Sequence, residues 1–167
     1  TAMTGLLSCN SQKNSGSAAN QVKYDENAGS RILYGAINRN AFQKEGFKSW
    51  FQAGYSNYQV NREPLSGIDQ ELLQELELEI VLGTWCPDSR REVPRFFKIA
   101  DALDIKQEQI HMLAVHRNFS APDFEKGKNG VTHVPTFIFR HNGKELGRIV
   151  ESPKQTLEQE LKQILTL

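Results

Sequence analysis

A buried strand that leads directly into a long helix is the feature that most constrains the fold of this chain. Residues 78–84 are apolar and rich in branched side chains, which is typical of a buried strand. The residues after Cys86 then place apolar side chains at helical spacing as far as Leu103, with Pro94 inside the predicted helix. A second apolar strand is predicted at 110–115. Strands that alternate with helices in this way indicate an α/β fold with a parallel core.

A hairpin and a final helix are predicted to complete the sheet. Residues 135–140 form a strand, and the Asn-Gly pair at 142–143 favours a two-residue turn because both turn positions need a positive φ. Residues 145–150 then return antiparallel. Ser152 is predicted to cap the last helix, with Pro153 in its first turn. The expected architecture is therefore a central mixed sheet flanked by helices.

The N-terminal part of the chain has a different composition. Residues 10–30 are rich in Asn, Ser, Gly, Lys and Gln and have few large apolar side chains, so they cannot bury much surface. We therefore predict a flexible tail over residues 1–30 and one folded domain over residues 31–167. Within that domain, residues 31–67 are predicted to form an N-terminal helical extension whose aromatic side chains belong to the core.

Cys9 lies in a short motif of its own. Residues 6–11 read LLSCNS, which resembles a bacterial lipoprotein box whose cysteine is lipidated and becomes the mature N-terminus. A polar tether after such a cysteine suits a membrane-anchored domain that faces the periplasm of the bacterial cell envelope. The alternative interpretation is an ordinary cysteine in a tail.

The bulk composition excludes some classes of function. Twenty basic residues balance twenty acidic residues, whereas a nucleic-acid-binding protein needs a basic face. The four histidines have no metal-ligand spacing, and two cysteines are too few for a disulfide scaffold. The sequence thus predicts no nucleic-acid partner, no metal site and no cofactor.

Cys86 is the candidate nucleophile. It lies between Trp85 and Pro87 at the predicted start of a helix, where the backbone amides and the helix dipole favour a thiolate. Three residues further on, where a two-cysteine redox motif has its second sulfur, the chain has Ser89. The sequence therefore predicts one activated thiol with no local thiol to resolve its products.

These residues resemble the thioredoxin superfamily. The order of elements, the Trp-Cys-Pro motif at the first long helix and Val134-Pro135-Thr136 before the hairpin are similar to that family, and closest to single-thiol members of the bacterial envelope. The resemblance implies a thioredoxin-like domain in which Pro135 is cis and faces Cys86, and in which the backbone of Val134 pairs with a substrate peptide. Trp85 and Pro87 would complete the substrate groove.

The chain also departs from the family pattern. Besides Ser89, the position of the buried acid that shuttles protons in thioredoxins matches Ile80, and a glycine beside the active site matches Glu151. Asp88 and Glu151 are expected to oppose a thiolate at Cys86 by charge repulsion. His133 is either a proton donor near the thiol or an ordinary loop histidine.

The predicted chemistry is disulfide exchange through a single cysteine. A thiolate that attacks a disulfide forms a mixed disulfide, which here needs an external thiol for its resolution. We predict a thiol–disulfide oxidoreductase or isomerase with Cys86 and Ser89 at its centre, acting on protein disulfides. The alternative is a non-catalytic module on the same fold that binds a client protein.

Overall fold

The computed structural model describes residues 19–122 and 124–166. Its sheet has six strands in the order β1-β2-β4-β3-β5-β6. The strands are β1 (Gln21–Asp25), β2 (Ser30–Ile37), β3 (Leu76–Leu82), β4 (Ile110–Ala114), β5 (Thr136–His141) and β6 (Lys144–Val150). Only β3 and β4 are parallel, and every other neighbouring pair is antiparallel. The predicted mixed α/β sheet is therefore confirmed.

The described part of the chain has five α-helices. They are α1 (Lys48–Asn57), α2 (Arg62–Leu65), α3 (Gln70–Glu75), α4 (Pro87–Ala102) and α5 (Leu157–Leu165), with short 3₁₀ turns at Arg39–Gln43, Gln107–Gln109 and Lys128–Gly130. Pro94 lies inside α4, and its ring packs on α1 where Gly54 has no side chain to obstruct it. None of the helices in the described ranges is long and apolar enough to cross a membrane.

All five helices cover one face of the sheet. Alternate residues of the central strands point to that face, where Ile80, Phe137 and Met112 join the main hydrophobic core with the helices. The other face carries a smaller hydrophobic cluster, covered by loops rather than helices. The loop-side cluster consists of Val81, Cys86, Val115, Ala121, Phe124, Val131, Val134 and Ile138. The candidate nucleophile thus belongs to the loop-covered face.

The structure corrects two expectations about element boundaries. The first concerns the N-terminal part: the predicted tail contains β1, which pairs with β2 in register from Gln21 opposite Tyr34 to Asp25 opposite Ser30. The predicted helical extension over residues 31–67 likewise begins with strand β2 and not with a helix. The first four residues of β1 are exposed, so the strand has almost no hydrophobic pattern by which to detect it. Residues 1–18 of the predicted tail, which include Cys9, lie outside the described residues.

The second correction concerns the last helix. It begins at Leu157 rather than near Pro153, and Thr156 is its N-cap, accepting a hydrogen bond from the Gln159 amide at 3.2 Å. Ser152, the predicted cap, instead accepts a hydrogen bond from the Arg91 side chain. Ser152 and Thr156 can both cap a helix, and they lie four positions apart. The Ser152 hydroxyl is used for the contact with Arg91, and Thr156 caps the helix.

Candidate functional site

Cys86 lies at the junction between β3 and α4. It is the N-cap residue of the sixteen-residue helix α4, and its backbone amide donates to the carbonyl of Gly83 at 2.8 Å. Its carbonyl accepts the first helical hydrogen bond, from the Arg90 amide, and the residue as a whole is 9% exposed. The sulfur therefore stands at the N-terminus of a long helix, where unpaired amides and the helix dipole favour negative charge.

The loop before β5 faces this sulfur. The Val134–Pro135 peptide bond is cis, as predicted, and the Cys86 thiol donates to the Val134 carbonyl with a sulfur–oxygen distance of 3.3 Å. The Glu151 amide donates to the Pro135 carbonyl at 2.7 Å and fixes the other side of the loop. Within the described ranges the Val134 amide has no hydrogen-bond partner, so it is available to an extended chain laid against the loop.

Comparison with known families agrees with this geometry. The family model described as thioredoxin matches residues 41–163. The chain belongs to the thioredoxin family. The match starts after β2, so β1 and β2 lie outside the part of the chain that carries the family signature.

Individual relatives of this thioredoxin-family chain are distant. No curated protein sequence matches it. A protein of unknown function from Pseudomonas aeruginosa is similar in structure, with a TM-score of 0.49 and 16% identity over 78% of this chain and 90% of that one. Mitochondrial thioredoxin 3 from Saccharomyces cerevisiae has a TM-score of 0.38 and 19% identity over 58% of this chain and 84% of its own.

Ser89 occupies the position of a resolving cysteine, one helical turn after the nucleophile. Its side chain is fully buried, and its hydroxyl oxygen accepts a hydrogen bond from the Gly83 amide at 3.2 Å. No hydrogen bond joins Ser89 to Cys86 in the described part of the chain. Ile80 is also fully buried in β3, so an alkyl side chain occupies the position at which thioredoxins have their proton-shuttling acid.

Trp85 packs against the loop that follows β4. Its indole N–H donates to the Val115 carbonyl at 2.9 Å, and its ring makes an edge contact with Phe119. Gly83 makes this position of the ring feasible, because a Cβ there would lie 2.6 Å from the indole. Pro87 is the first residue of α4 and is exposed beside Cys86.

The two predicted acidic neighbours differ in their surroundings. Asp88 forms an ion pair with Arg91, and hydrogen bonds from Arg91 to Glu92 and Asp88 raise the pKa of the Arg91 guanidinium. Glu151 is exposed, has φ of +60°, and its carboxylate has no partner among the described residues. The backbone amide of Glu151 therefore holds this residue beside the cis-proline loop, with its side chain exposed.

The side chains of Arg90 and His133 make their hydrogen bonds away from the thiol. The Arg90 side chain donates to the Thr84 carbonyl at 2.6 Å. His133 is exposed, and its Nδ1 lies 2.9 Å from the Thr132 hydroxyl. No contact between the His133 ring and Cys86 is present in the described residues.

The loop between β4 and β5 contributes features that the sequence did not reveal. It borders a cavity of about 470 Å³, lined by Ala121, Phe124, Glu125, Lys126 and Lys128. Phe124 and Ala121 also belong to the loop-side cluster that contains Cys86. Arg117 lies over the ring of Trp85 and pairs with the buried Asp25 of β1. Arg117 is 32 positions from Trp85 and 92 positions from Asp25 along the chain, so no local pattern indicates these contacts.

Proposed function

We propose that this thioredoxin-family protein is a thiol–disulfide oxidoreductase or isomerase that acts through Cys86 alone. The observation that supports the proposal is the position of the Cys86 sulfur, at the N-terminus of α4 and 3.3 Å from the Val134 carbonyl beside the cis Pro135. A substrate disulfide placed along the Val134 backbone would reach the thiolate while its own chain pairs with the free Val134 amide.

The reaction begins with attack of the Cys86 thiolate on one sulfur of a protein disulfide. The substrate sulfur–sulfur bond breaks, a mixed disulfide with Cys86 forms, and the other substrate sulfur leaves as a thiolate that takes a proton from water. Ser89 has no sulfur with which to displace the product. Either a second thiol of the substrate attacks the mixed disulfide, which completes an isomerisation and releases the Cys86 thiolate, or two molecules of an external thiol act in turn. The first external thiol releases the reduced substrate and forms a mixed disulfide with Cys86, and the second releases the Cys86 thiolate and leaves as the disulfide of the external thiol.

Alkylation and trapping test this proposal. We expect Cys86 to react rapidly with iodoacetamide below pH 7, and the mixed disulfide with a model protein disulfide to persist until a small thiol is added. Mass spectrometry identifies the adduct, and Cys86→Ser abolishes it.

Ser89→Cys is the matched gain-of-function variant. It places a thiol one helical turn from the nucleophile, so the trapped substrate should be released without added thiol as an intramolecular disulfide forms. Slow alkylation of the wild type, or a wild-type mixed disulfide that resolves unaided, contradicts the proposal.

A non-catalytic module that binds a protein partner is the second candidate. The observation that favours it is that the Cys86 thiol donates its hydrogen to Val134 while the side chain is almost buried, an arrangement suited to an unreactive core cysteine. Complementation with Cys86→Ser in the source organism discriminates the two. The module retains its function after this change, whereas the enzyme loses it.

We also propose that Cys9 tethers the domain to the bacterial envelope. The support is the LLSCNS motif at residues 6–11 together with the polar segment that follows it. Expression of the native precursor with a radiolabelled fatty acid should label the wild type and leave Cys9→Ser unlabelled. Equal labelling of the two proteins refutes the tether.

A further inference from the structure

Arg117 lies over the side chain that precedes the nucleophile. Its guanidinium carbon is 5.0 Å from the centre of a Trp85 ring, and Trp85 is itself fixed by its hydrogen bond to the Val115 carbonyl. A guanidinium that lies over an indole is attracted by the ring, which restricts the positions of its donors before any ligand arrives.

The buried carboxylate of Asp25 forms an ion pair with Arg117. One carboxylate oxygen accepts hydrogen bonds from the amides of Asn27 and Ala28, while the other accepts none and lies 3.4 Å from Arg117 Nε. His116 Nε2 lies 3.6 Å from the same carboxylate. The Asp25 side chain is fully buried and that of Arg117 is 45% exposed, so solvent meets the cation rather than its counter-ion.

The terminal nitrogens of Arg117 are uncommitted. They make no hydrogen bond to any residue in the described ranges. A second cation, Lys126, lies 5.2 Å from the centre of the Phe119 ring, which in turn contacts Trp85. Two cations, Arg117 and Lys126, therefore lie over the aromatic pair formed by Trp85 and Phe119.

We propose that Arg117, assisted by Lys126, forms an anion subsite that binds a carboxylate of the disulfide attacked by Cys86. This inference rests on the proposed function and specifies its substrate class as disulfides that carry an acidic group next to the reacting sulfur. A guanidinium presents parallel donors that match a carboxylate. The bound carboxylate orients the disulfide for exchange, which transfers one half to Cys86 and releases the other half as a thiolate.

Three small symmetrical disulfides that differ in charge test the subsite. They are 3,3′-dithiodipropionate (anionic), bis(2-hydroxyethyl) disulfide (neutral) and cystamine (cationic), and the rate of mixed-disulfide formation is measured by mass spectrometry at low ionic strength. The selectivity is the rate with the anionic disulfide divided by the rate with the neutral one. Arg117→Gln removes one cation near the ligand, so it should lower this anionic-to-neutral rate ratio about threefold. The loss should shrink in 1 M salt, where charges are screened over about 3 Å.

Two further variants separate the subsite from general effects on folding. Asp25→Asn keeps the cation but removes its anchor, so it should lower the same ratio by a smaller factor. Arg62→Gln, an identical change at an exposed position of α2, should leave the ratio unaltered. Peptide disulfides with Asp or Lys beside the cysteine identify the source of the carboxylate. A faster reaction with the Asp peptide shows that the subsite accepts a protein carboxylate, and equal rates show that it accepts only that of a small disulfide.

The outcomes distinguish this proposal from the one on which it rests. If Cys86 reacts with all three disulfides but Arg117→Gln changes their rates equally, or not at all, the subsite is refuted and the single-cysteine chemistry stands. If Cys86 reacts with none of them, both proposals fail.

Discussion

The two faces of the sheet are built in different ways. The helix-covered face buries large aromatic and aliphatic side chains from all five helices, and Phe42, Phe51 and Phe97 form a set of stacked and edge-on rings within it. The loop-covered face buries fewer side chains, contributed mainly by segments without regular structure. The difference indicates that the helix-covered face supplies most of the free energy of folding. The loops of the other face can adjust their conformation around the Cys86 thiol.

A pair of core truncations provides the strongest test of this comparison. Phe97 is fully buried under the helices, and Phe97→Ala should lower the free energy of unfolding by about 3–5 kcal/mol. Phe124 is 4% exposed on the loop side, where the chain can close around a cavity, so Phe124→Ala should cost only about 2 kcal/mol. Urea denaturation measures both values. Equal losses of unfolding free energy in the two variants would show that the two faces contribute equally to stability.

A pair of glycine substitutions tests which face of the sheet determines the reactivity of the Cys86 thiol. A Cβ at Gly83 would lie 2.6 Å from the indole of Trp85, and a Cβ at Gly54 would lie 2.6 Å from the ring of Pro94. Each change to alanine should cost about 1–3 kcal/mol through overpacking. Only Gly83→Ala should alter the rate at which iodoacetamide alkylates Cys86, because it displaces the neighbouring tryptophan. An equal change of rate in both variants would contradict this assignment.

The smallest expected effect concerns an ion pair on the helix side. Burial raises the pKa of Asp101, but hydrogen bonds from Arg39 and Tyr55 outweigh it, so the net pKa is lowered. A carboxyl whose pKa is lower in the folded state adds stability above its unfolded pKa and loses it as pH falls through the folded value. The pair is partly exposed, so Asp101→Asn should cost at most about 1 kcal/mol at pH 7.

The pH dependence provides the control for that variant. The difference in unfolding free energy between Asp101→Asn and the wild type should disappear in acid, once Asp101 is protonated in both folded and unfolded wild-type protein. Alkylation of Cys86 should be the same in the two proteins at every pH. A stability difference that stays constant down to the acid limit would assign the effect to packing instead of charge.

Local patterns predicted most of the fold. The apolar run of β3, the Asn-Gly turn and the helical spacing after Cys86 are short-range signals, and the structure has the expected elements at each. The cis Pro135 was predicted from resemblance to a family, and it is confirmed. These features depend on residues close together in the chain, so one sequence contains enough information to find them.

The features that were missed depend on distant partners. Strand β1 has its side chains mostly in solvent and is held by pairing with β2, and Ser152 is drawn away from a capping role by Arg91. The contact of Asp25 with Arg117 likewise joins segments that only the folded sheet brings together. Neither the hydrophobic period of a segment nor its capping residues indicate which distant segment it will contact.

The β1–β2 hairpin has a consequence for how the domain can be divided. It lies outside residues 41–163, the region that matches the family, yet β2 pairs with β4 and the Leu33 amide donates to the buried Thr84 hydroxyl, two residues before Cys86. A fragment cut at the family boundary would expose β4 as a bare edge of unpaired amides and carbonyls. Such an edge is a template for aggregation, so the family boundary is a poor place to begin a recombinant domain.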